Sequence, residues 1–515
     1  MQLSFDLSRR EGIIHNICKA ICIWDFRSFD DDGCYGRMPD GWFRRTYPFL
    51  DYVILMTFTG GAGRGEWYQE DEGGTARYDF STPLRVLKNV LRQGVKPVIV
   101  LGNVPSAMSK GSSFEYDSYE WGNRCPPDDD QQYRAYIYAF GLMIREHFSE
   151  EEYRQWAFRV GTECDNPHWW IAGEEAYMKL YDDSVDALQE ALGRENLTVF
   201  SSNISRKESF QAFFAHCHHG INTCTGEIGT QNDALSISHY NDLTPDGGCE
   251  YTHLAGILSA VQKRAEEACP GVFKSFNVGE GQYIMDGGNP PFRLSNGQDA
   301  SSYAASWTAH MCDRMTAAGA DYFANWAYAA DSMDTQERML RLPAWYVADF
   351  MKDMAGGFRV SPVLLGHPAH DNSVGGFASA SKDGAVVRLM LYNHCLSREN
   401  LDENITLSLS SDQRYACRAW IISPSHTGFF EDWLSYSARM KRVAKDVDIA
   451  TVGSVYDNEI ASLLRGDDLQ KWLQKKAEYI ARDTLAPFAV DWRQNAATLT
   501  LPGHSVCLME LKAML

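Results

Sequence analysis

The chain has 515 residues, 44% of them hydrophobic and 23% charged, which is the composition of a globular protein with a sizeable core. Its 48 Lys and Arg residues against 68 Asp and Glu residues give a net charge of −20, which disfavours nucleic acid and anionic membranes as partners. No stretch approaches the roughly 20 apolar residues of a membrane span. The 13 cysteines follow no regular framework, and residues 1–16 are too polar for a signal peptide. We therefore expect a cytoplasmic protein with reduced thiols.

Between about residues 15 and 355, short apolar runs alternate with longer stretches of helical spacing. The predicted strands are 19–24, 52–58, 97–102, 156–162, 198–202, 234–240, 272–280 and 321–328. Eight strands alternating with helices predict a (β/α)8 barrel as the catalytic domain, an α/β fold. A doubly wound open sheet is the alternative. It would more often carry a glycine-rich phosphate turn, and "TGGAGRGEW" (59–67) fits neither the dinucleotide nor the P-loop spacing.

The character of the sequence changes after residue 355. Strand-like runs at 385–393, 404–410, 415–422, 497–502 and 505–512 follow one another across polar turns. This pattern predicts a C-terminal antiparallel β-sandwich at 356–515, with a helical insertion near 467–482. Residues 1–14 are a candidate for an additional strand of that sandwich.

Polar and aromatic side chains collect where the predicted barrel strands end, which is where such barrels place their active residues. They are Glu163 after the fourth strand, His239 and Tyr240 after the sixth, Glu280 after the seventh, and Asn325 and Trp326 at the eighth. Two glutamates at one barrel mouth suit glycoside hydrolysis, since one can protonate the leaving oxygen while the other attacks or stabilises the anomeric carbon. Aromatic rings supply flat surfaces for sugar rings. The pattern therefore favours a glycosidase.

Several neighbours have two interpretations. Trp169, like Trp170, could stack on a sugar or pack its loop; His239 could contact substrate or orient Glu280; and Tyr283 could bond Glu280 or line the rim. If the strand assignment slipped by a turn, another carboxylate near the mouth could replace one of the pair: Asp165, Glu174, Glu227 or Asp286.

The segment "AHCHHGINTC" (215–224) gathers histidines and cysteines, but its spacing matches no zinc pattern. We predict neither a metal nor an organic cofactor.

Six segments resemble glycoside hydrolase family 39, the family of β-xylosidases and α-L-iduronidases in the clan of (β/α)8 retaining glycosidases. The most specific is "EEYRQWAFRVGTECDNPHWWIAGEEAYMKLYDDSVDAL" (151–188), which resembles the fourth strand, its glutamate and the helix that follows. The others are "YDFSTPLRVLKNVLRQGVKPVIVLGNVPSAM" (78–108), "SISHY" (236–240), "FNVGEGQY" (276–283), "NWAYAADSM" (325–333) and "WIISPSHTGFFEDW" (420–433).

The resemblance implies a retaining mechanism with Glu163 as general acid/base and Glu280 as nucleophile, their carboxyl groups about 5–5.5 Å apart. It implies a raised pKa for Glu163, whereas Glu280 stays ionised through hydrogen bonds and charge. Two positions depart from the clan pattern, because Thr162 replaces the asparagine that binds the sugar 2-hydroxyl and Cys164 replaces the usual proline. Asn166 or Asn325 are candidates to replace that asparagine.

The predicted function is an exo-acting retaining glycoside hydrolase, which hydrolyses O-glycosyl bonds and releases a small sugar unit from oligosaccharides or glycosides. The alternatives are a glycosidase of the same machinery that releases a hexose or disaccharide, a transglycosylase, and a carbohydrate-binding protein that has lost catalysis. Sugar identity, linkage, anomeric configuration and oligomeric state, including a homo-oligomer, are left open.

Overall fold

The computed structural model describes most of the chain. It covers residues 1–62, 66–71, 74–109, 122–205, 211–241, 253–268, 270–271, 273, 275–283, 302–325, 341–368, 373–394, 401–426, 466–467, 470–471, 473–474, 477–478 and 485–514. Most of the helical insertion predicted at 467–482 therefore lies outside the described residues.

The strands, in chain order, are β1 (Gln2–Asp6), β2 (Ala20–Ile23), β3 (Tyr52–Leu55), β4 (Tyr68–Glu70), β5 (Ala76–Tyr78), β6 (Lys96–Leu101), β7 (Ala157–Val160), β8 (Val199–Ser201), β9 (Ala234–Asn241), β10 (Ser275–Tyr283), β11 (Tyr322–Asn325), β12 (Phe358–Val360), β13 (Pro362–Leu365), β14 (Ser373–Ala380), β15 (Val386–His394), β16 (Glu403–Ser410), β17 (Tyr415–Ile422), β18 (Ala486–Pro487), β19 (Ala496–Leu501) and β20 (Ser505–Ala513). The helices are α1 (Trp42–Thr46), α2 (Ser81–Arg92), α3 (Asp130–His147), α4 (Glu150–Tyr153), α5 (Gly173–Leu192), α6 (Gln211–His219), α7 (His253–Ala268), α8 (Ser302–Ala317) and α9 (Pro343–Met354).

Eight parallel strands form the barrel in the order β8-β7-β6-β3-β2-β11-β10-β9, and each of the eight predicted runs overlaps one of them. Between β8 and β9 the described residues form one backbone bridge, from Ile204 to Ile237. The Ile204 N–H donates to the Ser236 carbonyl (3.0 Å) and the Ser238 N–H to the Ile204 carbonyl (2.9 Å). We call this place the seam of the barrel. The predicted (β/α)8 fold is confirmed.

The helices cover the outside of the barrel by burying one face each. In α2, Val86, Leu87 and Val90 are fully buried at spacings of one, three and four residues, which places them on one side of the helix. Pro83 lies in its first turn, where backbone N–H groups have no partner within the helix, so the missing N–H of proline costs no hydrogen bond. The long helices α3 and α5 pack against each other and share the hydrophobic core with β7 and β8.

Two further sheets make the predicted β-sandwich, with strand orders β13-β1-β16-β19 and β12-β14-β15-β20-β17-β18. Burial alternates along β16, as expected for a strand with one face in the core and one in water. Strand β1, from the amino-terminal end, lies between β13 and β16. The domain limits proposed from the sequence stay a prediction.

The barrel and the sandwich share a buried polar contact along α8. Arg359 forms an ion pair with Asp313 (2.5 Å), which also accepts a hydrogen bond from the Tyr392 hydroxyl (2.7 Å). His310 stacks on Tyr392, with ring centroids 5.1 Å apart. Side chains of β15 and β20 also join the hydrophobic core of the barrel. The two units are thus packed together through charge and apolar contact alike.

Within the described residues, no helix combines the length and the apolar character needed to cross a membrane.

Candidate active site

Glu163 lies just beyond the carboxyl end of β7, in a turn with unusual backbone geometry. Gly161 has φ +74°, and Glu163 itself has φ +41°, a region that L-residues rarely adopt. Its side chain is 7% exposed, and its Oε2 accepts a hydrogen bond from Asn166 Nδ2 at 3.0 Å. The Asn166 N–H also donates to the Glu163 carbonyl (2.7 Å). Asn166 therefore holds both ends of the glutamate in place.

Glu280 lies on β10 at a bulge. The register against β9 shifts between Val278 and Glu280, so two residues of β10 face one residue of β9. The side chain is 3% exposed, and its two oxygens have different partners. The Tyr240 hydroxyl donates to Oε1 at 2.6 Å, and Asn203 Nδ2 donates to Oε2 at 3.3 Å. The bulge thus turns a carboxylate toward two fixed donors.

Ser238 and Asn203 connect the two glutamates. The Ser238 hydroxyl hydrogen-bonds to Glu163. Asn203 Nδ2 donates to Ser238 Oγ as well as to Glu280. Asn203 follows β8 and Ser238 lies in β9, so these residues meet across the seam. The barrel therefore brings the two carboxyl groups into one hydrogen-bonded cluster.

Burial shifts both carboxyl groups. It raises the pKa of Glu163 to about 7, with the negative charge of Glu280 acting in the same direction and the bonds from Ser238 and Asn166 opposing it. Burial also raises the pKa of Glu280, while the positive charge of Arg159 and the bonds from Tyr240 and Asn203 lower it. Burial thus acts on both glutamates, where we expected a raised pKa for Glu163 alone. As two interacting acids, they titrate as a pair.

Arg159 is the charged neighbour of this pair. It is the third residue of β7 and is fully buried. Its Nη1 donates to the Gly279 carbonyl at 3.2 Å, and its Nη2 to Thr162 Oγ1 at 3.1 Å and toward Met56 Sδ at 3.1 Å. The Thr162 hydroxyl is therefore engaged by a buried guanidinium.

The remaining candidate residues are buried where the structure describes their side chains. Trp169 packs edge to face on Trp24, with ring centroids 5.8 Å apart, and is 7% exposed, whereas Trp170 packs in the core against Tyr177. His239 and Asn325 are buried at the ends of β9 and β11. Trp326 and the side chain of Tyr283 lie outside the described residues.

The alternative carboxylates have other roles where they are described. Asp165 accepts from the Ser205 N–H (3.1 Å), Glu174 accepts from the Phe213 N–H (3.0 Å), and Glu227 is exposed. Asp286 lies outside the described residues. Glu163 and Glu280 are thus the two carboxylates that the described strand ends bring together.

The histidine-rich segment has a structural partner. His216 Nε2 lies 3.0 Å from Asp182 Oδ1, and Asp182 also accepts from Thr223 and Thr230. In the part of the chain that the structure describes, no group of three or more His, Cys, Asp or Glu residues could hold a metal ion.

A barrel of eight parallel strands, with two buried glutamates at the carboxyl ends of its fourth and seventh strands, is the architecture of the (β/α)8 glycoside hydrolases. Residues 65–245 match the model of glycosyl hydrolases family 39. The predicted resemblance to family 39 is thus confirmed over that segment.

Individual relatives agree with this assignment. A curated β-xylosidase from Geobacillus stearothermophilus is 30% identical over 113 residues, 22% of this chain and 22% of the relative. The match thus spans about a fifth of the curated relative's length. A solved monomeric β-xylosidase from Caulobacter crescentus CB15 shares the fold, with a TM-score of 0.68 at 16% identity over 100% of this chain and 99% of that one. A bacterial orthologue of human α-L-iduronidase has a TM-score of 0.64 at 14% identity, over 100% and 83% of the two chains. The family match and the curated relative support the prediction of a glycosidase, and the solved structures show that the fold is shared.

Three residues of this cluster were missed in the sequence: Arg159, Asn203 and Ser238. One signal was present, since an arginine inside the buried strand "WAFRVG" is costly unless it is paired. Asn203 and Ser238 stand 35 residues apart, and nothing local indicates that they meet.

Proposed function

We propose that this protein is a retaining glycoside hydrolase that releases a small sugar unit from the end of oligosaccharides or glycosides. The observation that carries the proposal is the buried pair Glu163 and Glu280, joined through Ser238 and Asn203 at the mouth of the barrel. Two buried acids that titrate together hold one proton between them near neutral pH. A retaining glycosidase needs this state, with one acid protonated and one ionised.

The hydrogen bonds determine which acid carries the proton. Glu280 faces the Arg159 charge and the donors of Tyr240 and Asn203, all of which favour its anion. We therefore assign the proton to Glu163. Glu163 would protonate the glycosidic oxygen while Glu280 attacks the anomeric carbon, forming the glycosyl–enzyme bond as the leaving alcohol departs. Glu163 would then take a proton from water, which attacks the same carbon and frees Glu280.

The choice of sugar follows the relatives, which are named as β-xylosidases and an orthologue of α-L-iduronidase. The departure at Thr162 bears on this choice because its hydroxyl accepts from Arg159. The amide of Asn166 donates to the proposed acid/base, Glu163. The amide of Asn203 donates to the proposed nucleophile, Glu280. We propose that Asn203 takes the part of the missing asparagine, and that the sugar is a small unit whose 2-hydroxyl lies near it.

The test is turnover of aryl glycosides by wild type, Glu163→Ala and Glu280→Ala, with and without azide. The panel contains the β-D-xyloside, α-L-arabinoside, β-D-galactoside, β-D-glucoside and α-L-iduronide. We expect wild type to hydrolyse at least one, Glu280→Ala to be inactive, and azide to restore Glu163→Ala with a glycosyl azide of retained configuration. Azide attacks the glycosyl–enzyme without needing the general base that the variant lacks.

Glu227→Ala is the matched control, since it removes an exposed carboxylate outside the cluster. It should turn over substrate as wild type does. A wild type that is inert on the whole panel but binds oligosaccharides would overturn the proposal in favour of a carbohydrate-binding protein. An azide product of inverted configuration would overturn the assignment of the two roles.

A further inference from the structure

We propose that Arg159 is a positioning residue that ties together the chain segments carrying Glu163 and Glu280 and provides their countercharge inside the barrel. The inference rests on the proposed function for its kinetic consequences. Its structural basis is independent of which sugar is cleaved.

The first step of the argument is the direction of the side chain. Strand β7 alternates its faces, and Phe158 and Val160 belong to the core between strands and helices. Ala157 belongs instead to the apolar cluster inside the barrel, which includes Met56, Val100, Phe200 and Tyr322. Arg159, two residues after Ala157, therefore points into the barrel interior, and its contact with Met56 Sδ agrees. A guanidinium is costly in such a layer unless it is paired.

The second step is what the guanidinium bonds. Its Nη1 donates to the carbonyl of Gly279, the residue before Glu280. Its Nη2 donates to the hydroxyl of Thr162, the residue before Glu163. One planar group thus fixes the neighbour of each carboxylate, across strands separated by 120 residues. A shift of Arg159 would move both acids relative to each other, and small misplacements of reacting groups are expensive for catalysis.

The third step is the charge around Glu280. Among the described residues, the groups that face it from the surrounding elements are Glu163, the hydroxyl of Tyr240, the amide of Asn203 and the buried thiol of Cys22. None of these carries a positive charge. Arg159 supplies one, and it opposes the effect of burial on the acid. The attack on the anomeric carbon needs Glu280 as an anion, so the guanidinium has an electrostatic role as well as a geometric one.

The experiment compares Arg159→Lys and Arg159→Met in the pH profile of kcat/KM on the best aryl glycoside. Methionine keeps the apolar stem but removes the charge, so the pKa of Glu280 rises and the acidic limb should move up by at least one pH unit, with kcat about 100-fold lower. Lysine keeps the charge but replaces the planar fork, whose two nitrogens bond Gly279 and Thr162 separately, with a single nitrogen. Its acidic limb should stay near that of wild type, with kcat about 10-fold lower.

A second readout needs no activity. Urea unfolding at pH 8 is measured for wild type, Arg159→Met, Glu280→Gln and the double variant. Because Arg159→Met leaves a buried carboxylate without countercharge, it should lower the urea midpoint, and most of that loss should vanish when Glu280 is replaced by glutamine. Arg359→Met is the matched control. It breaks a buried ion pair with Asp313 away from the site, so its loss should add to that of Glu280→Gln.

The outcomes separate the two proposals. If wild type hydrolyses no glycoside, the proposed function fails, and the unfolding cycle still decides the role of Arg159. If wild type is active but Arg159→Met keeps its acidic limb and its effect on unfolding adds to that of Glu280→Gln, the inference is wrong and Arg159 only fills the barrel.

Discussion

The backbone of Glu163 lies in the left-handed region, with φ +41°, and Gly161, two residues earlier, has φ +74°. For a side chain with a Cβ this conformation costs on the order of 1 kcal/mol. Burial of its carboxyl group adds a second cost that grows as the group ionises. The residue is therefore destabilised twice by its position. Such costs are characteristic of sites in which geometry is retained for function.

One prediction follows for stability. Because the folded pKa of Glu163 is raised from 4.5 to about 7, the folded state binds more protons than the unfolded state, and stability falls as pH rises between these values. Glu163→Gln removes this effect. We expect the variant to gain up to about 3 kcal/mol over wild type at pH 8 relative to its difference at pH 4. Urea unfolding at the two pH values measures it, and an equal difference at both would contradict it.

A second prediction concerns Tyr240, whose hydroxyl donates to Glu280 Oε1 at 2.6 Å. Tyr240→Phe deletes that donor and keeps the ring. The anion of Glu280 is then less favoured, so its pKa rises and the acidic limb of kcat/KM moves to higher pH. We expect kcat/KM at pH 6 to fall by about 10- to 100-fold. The control is Tyr78→Phe, which removes the hydroxyl of an exposed tyrosine and should leave the pH profile unchanged.

Among single residues, the sequence predicted the candidate site residues that lie at strand ends. Glu163, Tyr240 and Glu280 were predicted because the carboxyl ends of barrel strands converge, whereas Asn166 was a candidate to replace the asparagine of the clan pattern. The partners that come from inside the barrel or across the seam were not predicted. Arg159 reaches Gly279 across 120 residues, and only closure of the barrel creates that contact.

Among the elements, the bulge of β10 requires the glycines on both sides of Glu280. A methyl group on Gly279 would lie 2.3 Å from Ser236 Oγ and 3.3 Å from Arg159 Nη1, and one on Gly281 would lie 2.3 Å from Phe323 Cζ. Both neighbouring strands therefore approach the backbone on either side of Glu280 more closely than a side chain allows. The two glycines let the bulge form where the proposed nucleophile is needed.

A third prediction tests this element. Gly279→Ala should displace the guanidinium of Arg159 or the Ser236 hydroxyl, cost about 1–3 kcal/mol of unfolding free energy and lower kcat by at least 100-fold. Gly12→Ala is the matched control, since a methyl group there would meet nothing within 4 Å. Thermal melts and turnover of both variants provide the measurement. A Gly279→Ala protein with the kcat of wild type would show that the bulge tolerates a side chain.

The sequence predicted the existence and order of these elements but not their fine structure. The seventh strand was expected at 272–280 and β10 runs from Ser275 to Tyr283. Apolar periodicity defines a buried strand, yet it cannot show where a bulge shifts the register, because the bulge depends on the strand opposite.

At the scale of the whole molecule, barrel and sandwich meet through titratable groups. His310 is buried on α8 between Tyr392 and Arg314, and His394 lies nearby on β15 with its ring nitrogen 2.7 Å from Ser306 Oγ. Burial lowers the pKa of His310 to about 4, with the charge of Arg314 acting in the same direction. The contact between the two units thus requires neutral histidines.

The fourth prediction is a loss of stability in acid. Since the folded pKa of His310 is depressed to about 4, the unfolded chain binds protons between pH 6.5 and 4 when the folded chain does not. Unfolding free energy should fall over this window by up to about 3 kcal/mol from this residue. His310→Phe keeps a ring against Tyr392 and should flatten the dependence, whereas exposed His219→Gln should not. Urea midpoints from pH 4 to 7 give the measurement, and parallel curves for His310→Phe and wild type would refute it.

The seam between β8 and β9 has a consequence for how the protein fails on heating. Asn203 and Ser238 stand on opposite sides of the single backbone bridge formed there by the described residues, and their mutual hydrogen bond links the two glutamates. Opening at this seam would separate those donors while the other seven strand pairs of the barrel, of which β11–β2 also has a single registered residue pair, stay joined. Catalytic activity should therefore be lost reversibly several degrees below the temperature at which the circular dichroism of the helices disappears. The working range of the enzyme would then be set by one pair of strands rather than by the melting of the fold.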